Sequence, residues 1–228
     1  AGWRCSAVIF GEEDKAKPFR VLYPWKKHIY LPYYPDLSYI QPVPTHDIEK
    51  VCRVLYAGAL TKEKGSERVK STMEQIAGLL PKTQFQLDVI TNDHFANSKL
   101  YDNLHIRQFE IMPFEQFCKQ IVEYDLFLDL RDVDFENTRC LPIKLFYYMA
   151  CGRPSIYSNL TAIRKGVAQI DDCAFLVDDI EQATQAMLQY ISNPTLYKRH
   201  SQRALELSQQ QYNWQSIKIR LTQLIDEL

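Results

Sequence analysis

Two short stretches carry residue types suited to holding an anion. The first, YAGALTKEKGSERV at residues 56–69, follows an apolar β-type run and opens a helix with an apolar stripe. Gly58 and Gly65 bracket a polar loop that contains Lys62 and Lys64. Glycine lets backbone approach a ligand closely, and the unpaired N–H groups of a helix start favour negative charge. Ser66 is expected to cap that helix. The spacing fits neither a phosphate-binding loop of nucleotide hydrolases nor the G-x-G-x-x-G fingerprint, so a surface loop with solvated lysines is an equal reading.

The second stretch, TRCLPIKLFYYMACGRPSIYSN at residues 138–159, reads as a proline-started helix, a glycine stop and a β run. Pro142 suits the first helical turn, where a missing N–H costs nothing. The amides near Cys140 and Leu141 then face outward from the positive end of the helix dipole. Lys144 in that turn opposes the dipole, and a bound phosphate would relieve the conflict. Tyr147 lies three residues on, on the same face. Read by itself, KLFYYM is more often a core-facing aromatic stripe than a binding surface.

Weaker candidates surround these two. Asp129, Asp132, Asp134 and Glu136 in DLRDVDFENTR, and the segment TNDH at 91–94, follow strands on the edge where ligands bind. The acidic loop either orients a ligand hydroxyl or is solvated, and TNDH either edges a ligand pocket or is solvated. His28, His46, His94, His105 and His200 are scattered in polar surroundings and are expected at the surface. The six cysteines are far apart, without C-x-x-C or partnered histidine spacing, which suggests reduced, mostly buried thiols in a cytoplasmic setting and no zinc site. A net charge of −1 gives no bulk attraction for nucleic acid. No apolar run approaches the roughly 20 residues of a membrane span, and AGWRCSAVIF lacks the features of a signal peptide.

The elements that position these residues alternate. Strand-like runs CRVLYAG, FQLDVIT, the shorter and weaker LHIRQF, DLFLDL, PSIYS and CAFLVD are interleaved with the helical stretches FEQFCKQIVEY, PIKLFYYMA and SERVKSTMEQIAGLL, the last with Val69, Met73, Ile76, Ala77 and Leu80 in one stripe. This rhythm predicts an α/β, doubly wound parallel sheet, with the strand-to-helix loops gathered on one edge. Residues 1–50 break it: KPFRVLYPWKKHIYLPYYPDLSYIQPVP, rich in proline and aromatics, reads as an extended connector with one short strand near HIYLP. Residues 51–210 are expected to form the main domain and 211–228 a closing helix. The basic and aromatic mixture in the connector faces either a membrane surface or a partner, the partner being favoured.

Together the two stretches resemble a known family. VLYAGALTKEKG is similar to the segment that opens the C-terminal half of GT-B glycosyltransferases, in particular the retaining group called family 4, and LPIKLFYYMACGRPSIYSN is similar to that group's P-x-K-L-x-E-Y-M-A-x-G-x-P-V-I helix and strand. The tail CAFLVDDIEQATQAMLQYISNPTLYKRHSQRALELSQQQYNW, ending at Trp214, follows the same pattern, as do SAVIFGEEDK and IYLPYYPD before it. The resemblance implies a Rossmann-like, donor-binding C-terminal domain, an extended segment before it, and a final helix crossing back to a first domain. The substrate it implies is a nucleotide-diphosphate sugar, with a glycan or lipid-linked acceptor and neither cofactor nor metal. It places the diphosphate on Lys64, with Gly58 and Gly65 shaping the loop, amides near Leu141 and Lys144 at the phosphates, and residue 147 at the ribose.

Three positions depart from the family's pattern. Ala59 stands where an arginine is usual, and the family's E-x7-E pair falls on Arg139 and Tyr147. A tyrosine hydroxyl cannot replace a bidentate carboxylate. Arg139 is expected instead to supply the phosphate charge missing at Ala59. Domain sizes of about 100–200 residues imply that the acceptor-binding half lies outside these 228 residues or on another chain. A non-catalytic binding domain and a GT-B sugar-nucleotide epimerase are the alternatives, and peripheral contact with the inner membrane face is left open.

Overall fold

The computed structural model describes residues 5–45, 47–95 and 101–226. Its centre is a six-stranded, wholly parallel sheet in the order β5-β4-β3-β6-β7-β8. The strands are β3 (Val51–Ala57), β4 (Gln84–Ile90), β5 (Leu104–Phe109), β6 (Leu126–Asp129), β7 (Ser155–Ser158) and β8 (Ala174–Val177). Every residue of β6 and β7 is buried, the near-continuous apolar pattern of strands covered on both faces. Helices α2 (Ser66–Leu79), α3 (Phe114–Ile121), α4 (Ile143–Ala150), α5 (Thr161–Gly166), α6 (Ile180–Ser192) and α7 (Pro194–Gln210) flank the sheet. Strand order reverses between β3 and β6, so a crevice opens beyond their carboxyl ends.

The segment before β3 departs from the extended-connector expectation in one place, a helix, while the strand expected near HIYLP is present. Strand β1 (Ala7–Phe10) is followed by helix α1 (Glu13–Leu22), then by β2 (Lys27–Tyr30), which pairs with β1 in parallel. A parallel pair needs a crossover of about a dozen residues, and topology here outweighs the helix-breaking preference of Pro18, which lies inside α1. The closing helix α8 (Trp214–Asp226) crosses back onto this pair, burying Ile217 against Ile29 and Leu31. Caps at Asn193 and Asn213 start α7 and α8, accepting hydrogen bonds from Leu196 N and Ser216 N at 3.0 Å each. Among the described residues no helix is long and apolar enough to cross a membrane.

Two other expectations change. His200 is buried, with its Nδ1 3.0 Å from the Tyr190 hydroxyl, because α7 packs that face against α6. Burial pushes its ionisation below the usual histidine range. His94 and His105 are exposed, His28 is half-buried, and His46 lies outside the described residues.

Arg153, 4% exposed, fastens the connector to the domain. It donates to Val43 O at 2.7 Å and Tyr124 O at 3.1 Å, with Gly152 O and Pro44 O at 3.2 and 3.3 Å. Arg153→Met would leave several buried carbonyls unpaired, and the relief of a buried charge only partly offsets this. A loss of about 2–4 kcal/mol is expected, measured as a shift in the denaturation midpoint.

Candidate functional site

The carboxyl end of β3 and the first turn of α4 meet at the crevice. The adjacent tyrosines of α4 diverge, which fixes the helix on the sheet. Tyr148 stacks on Phe127 of β6 with ring centroids 3.9 Å apart, while Tyr147 turns to the edge of Phe114 at 5.7 Å. Pro142 takes the N-cap position with extended backbone, one residue earlier than expected, and Ile143 is the first helical residue. Lys144 then reaches back along the helix start and donates to Ala57 O at 2.6 Å.

The loop after β3 is braced from three sides. The Tyr56 hydroxyl lies 2.7 Å from Ala59 O and 3.2 Å from Lys64 O. Asp93 of the TNDH segment accepts from Leu60 N at 2.8 Å. Asn137, almost fully buried, accepts from Lys64 Nζ at 2.9 Å and donates to Glu63 O at 3.0 Å. Gly65 occupies the N-cap of α2 with φ +79°, and Ser66 is the first helical residue rather than the cap. A Cβ at 65 would stand 1.8 Å from Leu130 O, so the loops after β3 and β6 touch there. At Gly58 a Cβ would meet nothing closer than the Tyr56 hydroxyl at 3.4 Å, so that glycine keeps space open without being sterically required.

These loops enclose a cavity of about 130 Å³ lined by Gly58, Lys64, Lys144, Tyr56, Asp129 and Arg131. Arg131 was not singled out from the sequence, because the acidic loop around it drew attention to its carboxylates. It forms a two-point pair with Asp129, at 2.7 and 2.8 Å, with little of either side chain exposed. Burial opposes its charge, but the Asp129 carboxylate outweighs that, and its ionisation is raised overall. Burial lowers the Lys144 pKa; Asp129 counters this, and Arg131 and Lys64 add to it. Three cations therefore converge on a space holding one carboxylate, already paired. The net positive charge there favours an anion.

An apolar cavity of about 400 Å³ shares Gly58 and Lys144 with it and is walled by Ile90, Ile111, Met112 and Phe114. The other acidic candidates are engaged in structure: Asp132 pairs with Arg68 at 3.1 Å and Asp134 accepts from Asn137 N at 2.7 Å, while Glu136 is exposed. Arg139 and Leu141 are not at the phosphate-sized cavity. They line a separate one with Glu12, Lys17, Tyr30 and Lys165, so Arg139 does not stand in for the arginine missing at Ala59. No group of three His, Cys, Asp or Glu side chains is placed for a metal among the described residues, and the cysteines there are free.

Comparison with solved structures gives the fold its name. The C-terminal domain of a glycosyl transferase group 1 protein, LpcC from Francisella tularensis, matches with a TM-score of 0.59 and 13% identity, covering 78% of this chain and 98% of that one. The fold is that of a GT-B C-terminal domain. Sucrose-phosphate synthase from Thermosynechococcus elongatus matches this GT-B domain at TM-score 0.69 and 18% identity, over 97% of this chain and 58% of the synthase. HepE from Anabaena, solved with UDP-glucose, matches at 0.68 and 13%, over 98% of this chain and 64% of HepE. The chain thus spans little more than half of the synthase. No family model and no curated protein sequence matches it.

Proposed function

We propose that this GT-B domain binds the donor of a glycosyltransferase, moving a sugar from a nucleotide-diphosphate carrier to a glycan or lipid-linked acceptor. The observation that carries the reading is the convergence of Lys64, Lys144 and Arg131 on one cavity at the strand-order reversal, beside an apolar cavity with room for a base. Diphosphate charge would be met by the two lysines, by the Arg131 guanidinium and by the amides opening α4, in a setting where buried charge contacts are stronger than in water. Departure of a nucleoside diphosphate develops charge on its terminal phosphate, and the same cations would stabilise it. The family resemblance and the UDP-glucose bound by HepE support a sugar-nucleotide donor.

A second reading, a binding domain without donor chemistry, has one observation in its favour. Lys64 and Lys144 each already donate to a protein oxygen, Asn137 Oδ1 and Ala57 O. Titration with UDP, GDP and ADP separates the two. Donor binding predicts saturable affinity for one of them, weakened about tenfold by Lys64→Ala through loss of a charge-assisted contact worth about 1.5 kcal/mol. Absence of binding up to millimolar nucleotide would establish the second reading.

A further inference from the structure

The cavity beside Arg139 has a charge pattern that the nucleotide reading does not use. Glu12, Lys17, Tyr30, Arg139, Leu141 and Lys165 surround about 320 Å³ between the β1–α1–β2 unit, the start of α4 and helix α5. The Arg139 guanidinium carbon lies over the Phe135 ring, 3.6 Å from its centroid. Among the described residues, neither that guanidinium nor the Lys165 ammonium has a hydrogen-bond or ion-pair partner. Glu12 is turned toward the Cys140 thiol, 3.8 Å away, and Lys17 is engaged within the protein.

A guanidinium stacked on a ring keeps its N–H edges available, and its planar fork matches carboxylate or phosphate at two points. Tyr30 and Leu141 supply the mixed polar and apolar wall that a sugar ring packs against. The two cavities are neighbours along the chain: Leu141 lines this one and Lys144 the phosphate-sized one, with the opening of α4 between them.

We propose that this cavity binds a sugar ring bearing a negative charge, as carboxylate or phosphate, and that Arg139 and Lys165 grip the anion. This rests on the reading of the neighbouring cavity as the diphosphate site, which makes the charged ring part of the transferred sugar or of the acceptor. A neutral hexose could accept hydrogen bonds from these two cations but would not neutralise them.

Calorimetric titration of the whole chain with UDP, glucose, glucose 6-phosphate, glucuronate and inorganic phosphate tests it, followed by UDP-glucose against UDP-glucuronate. One of the two anionic sugars is expected to bind at least about tenfold tighter than glucose, by the strength of a charge-assisted contact. The preference should shrink with added salt. Whether the phosphate or the carboxylate sugar prevails identifies the anion, and a preference between the two UDP-sugars assigns it to the donor rather than the acceptor. Arg139→Gln and Lys165→Gln should each reduce the preference several-fold while UDP affinity stays within about twofold. Equal binding of neutral and anionic sugars, or inorganic phosphate binding as tightly as the sugar anion, would overturn the proposal. UDP binding without anion preference sinks this inference alone; anion preference without UDP binding sinks the diphosphate reading instead.

Discussion

Gly65→Ala is expected to loosen the site, lowering stability by about 2–5 kcal/mol. Two independent penalties act at this position. The backbone has φ +79°, a left-handed conformation that costs an L-residue roughly 1–2 kcal/mol. The added carbon would sit 1.8 Å from Leu130 O and 2.4 Å from its carbonyl carbon, and these are backbone atoms that no rotamer change can move. Relief requires the loops after β3 and β6 to part, which costs a further 1–3 kcal/mol or so by the usual scale of overpacking. Parting them also strains the Lys64–Asn137 contact and the bond from Asp132 N to Glu63 O at 3.0 Å. Thermal unfolding checks the size of the effect. Gly58→Ala is the control, with its nearest contact at 3.4 Å, and should change stability by less than about 1 kcal/mol. If the two variants melt together, close loop contact is not what glycine at 65 serves.

That contrast also shows how far the sequence could be read. Both glycines were visible as loop residues, but only tertiary contact with Leu130 makes one of them obligatory. Five of the six strands of the main sheet announced themselves as apolar runs and LHIRQF more weakly, with helical stretches visible between only some of them. Helix α1 did not, because Pro18 interrupts the local signal while the need to cross between β1 and β2 acts at longer range. Lys64 and Lys144 were legible from their places at a loop and a helix start. Arg131 was not, since an arginine two residues from an aspartate has no directional signature until a buried strand end turns both inward. Arg139 was legible as a cation near a helix start, yet the short turn at Asn137–Arg139 directs it away from Lys64, toward α1 and α5. Chain position placed it next to the cavity lined by Lys64 and Lys144; backbone geometry put it in the neighbouring one.

Lys144→Met is expected to weaken nucleoside diphosphate binding more than Lys64→Ala does, by over a hundredfold, or about 3 kcal/mol. Lys144 is partly desolvated, as the lowering of its pKa by burial indicates, and electrostatic contacts strengthen as water is withdrawn. The same burial makes a pH signature. A lowered pKa means that the free protein releases the Lys144 proton at a pH below the 10.5 of an ordinary lysine. The diphosphate requires the charged form, so affinity should fall as pH rises through that lowered value. Phosphate ionisation, near about pH 6, is complete well before this and cannot produce the decline. Stability moves the other way: the unfolded chain holds the proton more tightly, so over the same window the Lys144 contribution favours the folded state as pH rises. Opposite trends in affinity and stability separate loss of a binding charge from alkaline unfolding. Lys144→Arg, whose guanidinium does not titrate in this range, should bind more weakly than wild type at neutral pH because its planar fork misplaces the charge, and its affinity should stay level as pH rises. An alkaline decline that persists in Lys144→Arg would remove this lysine from the binding reaction.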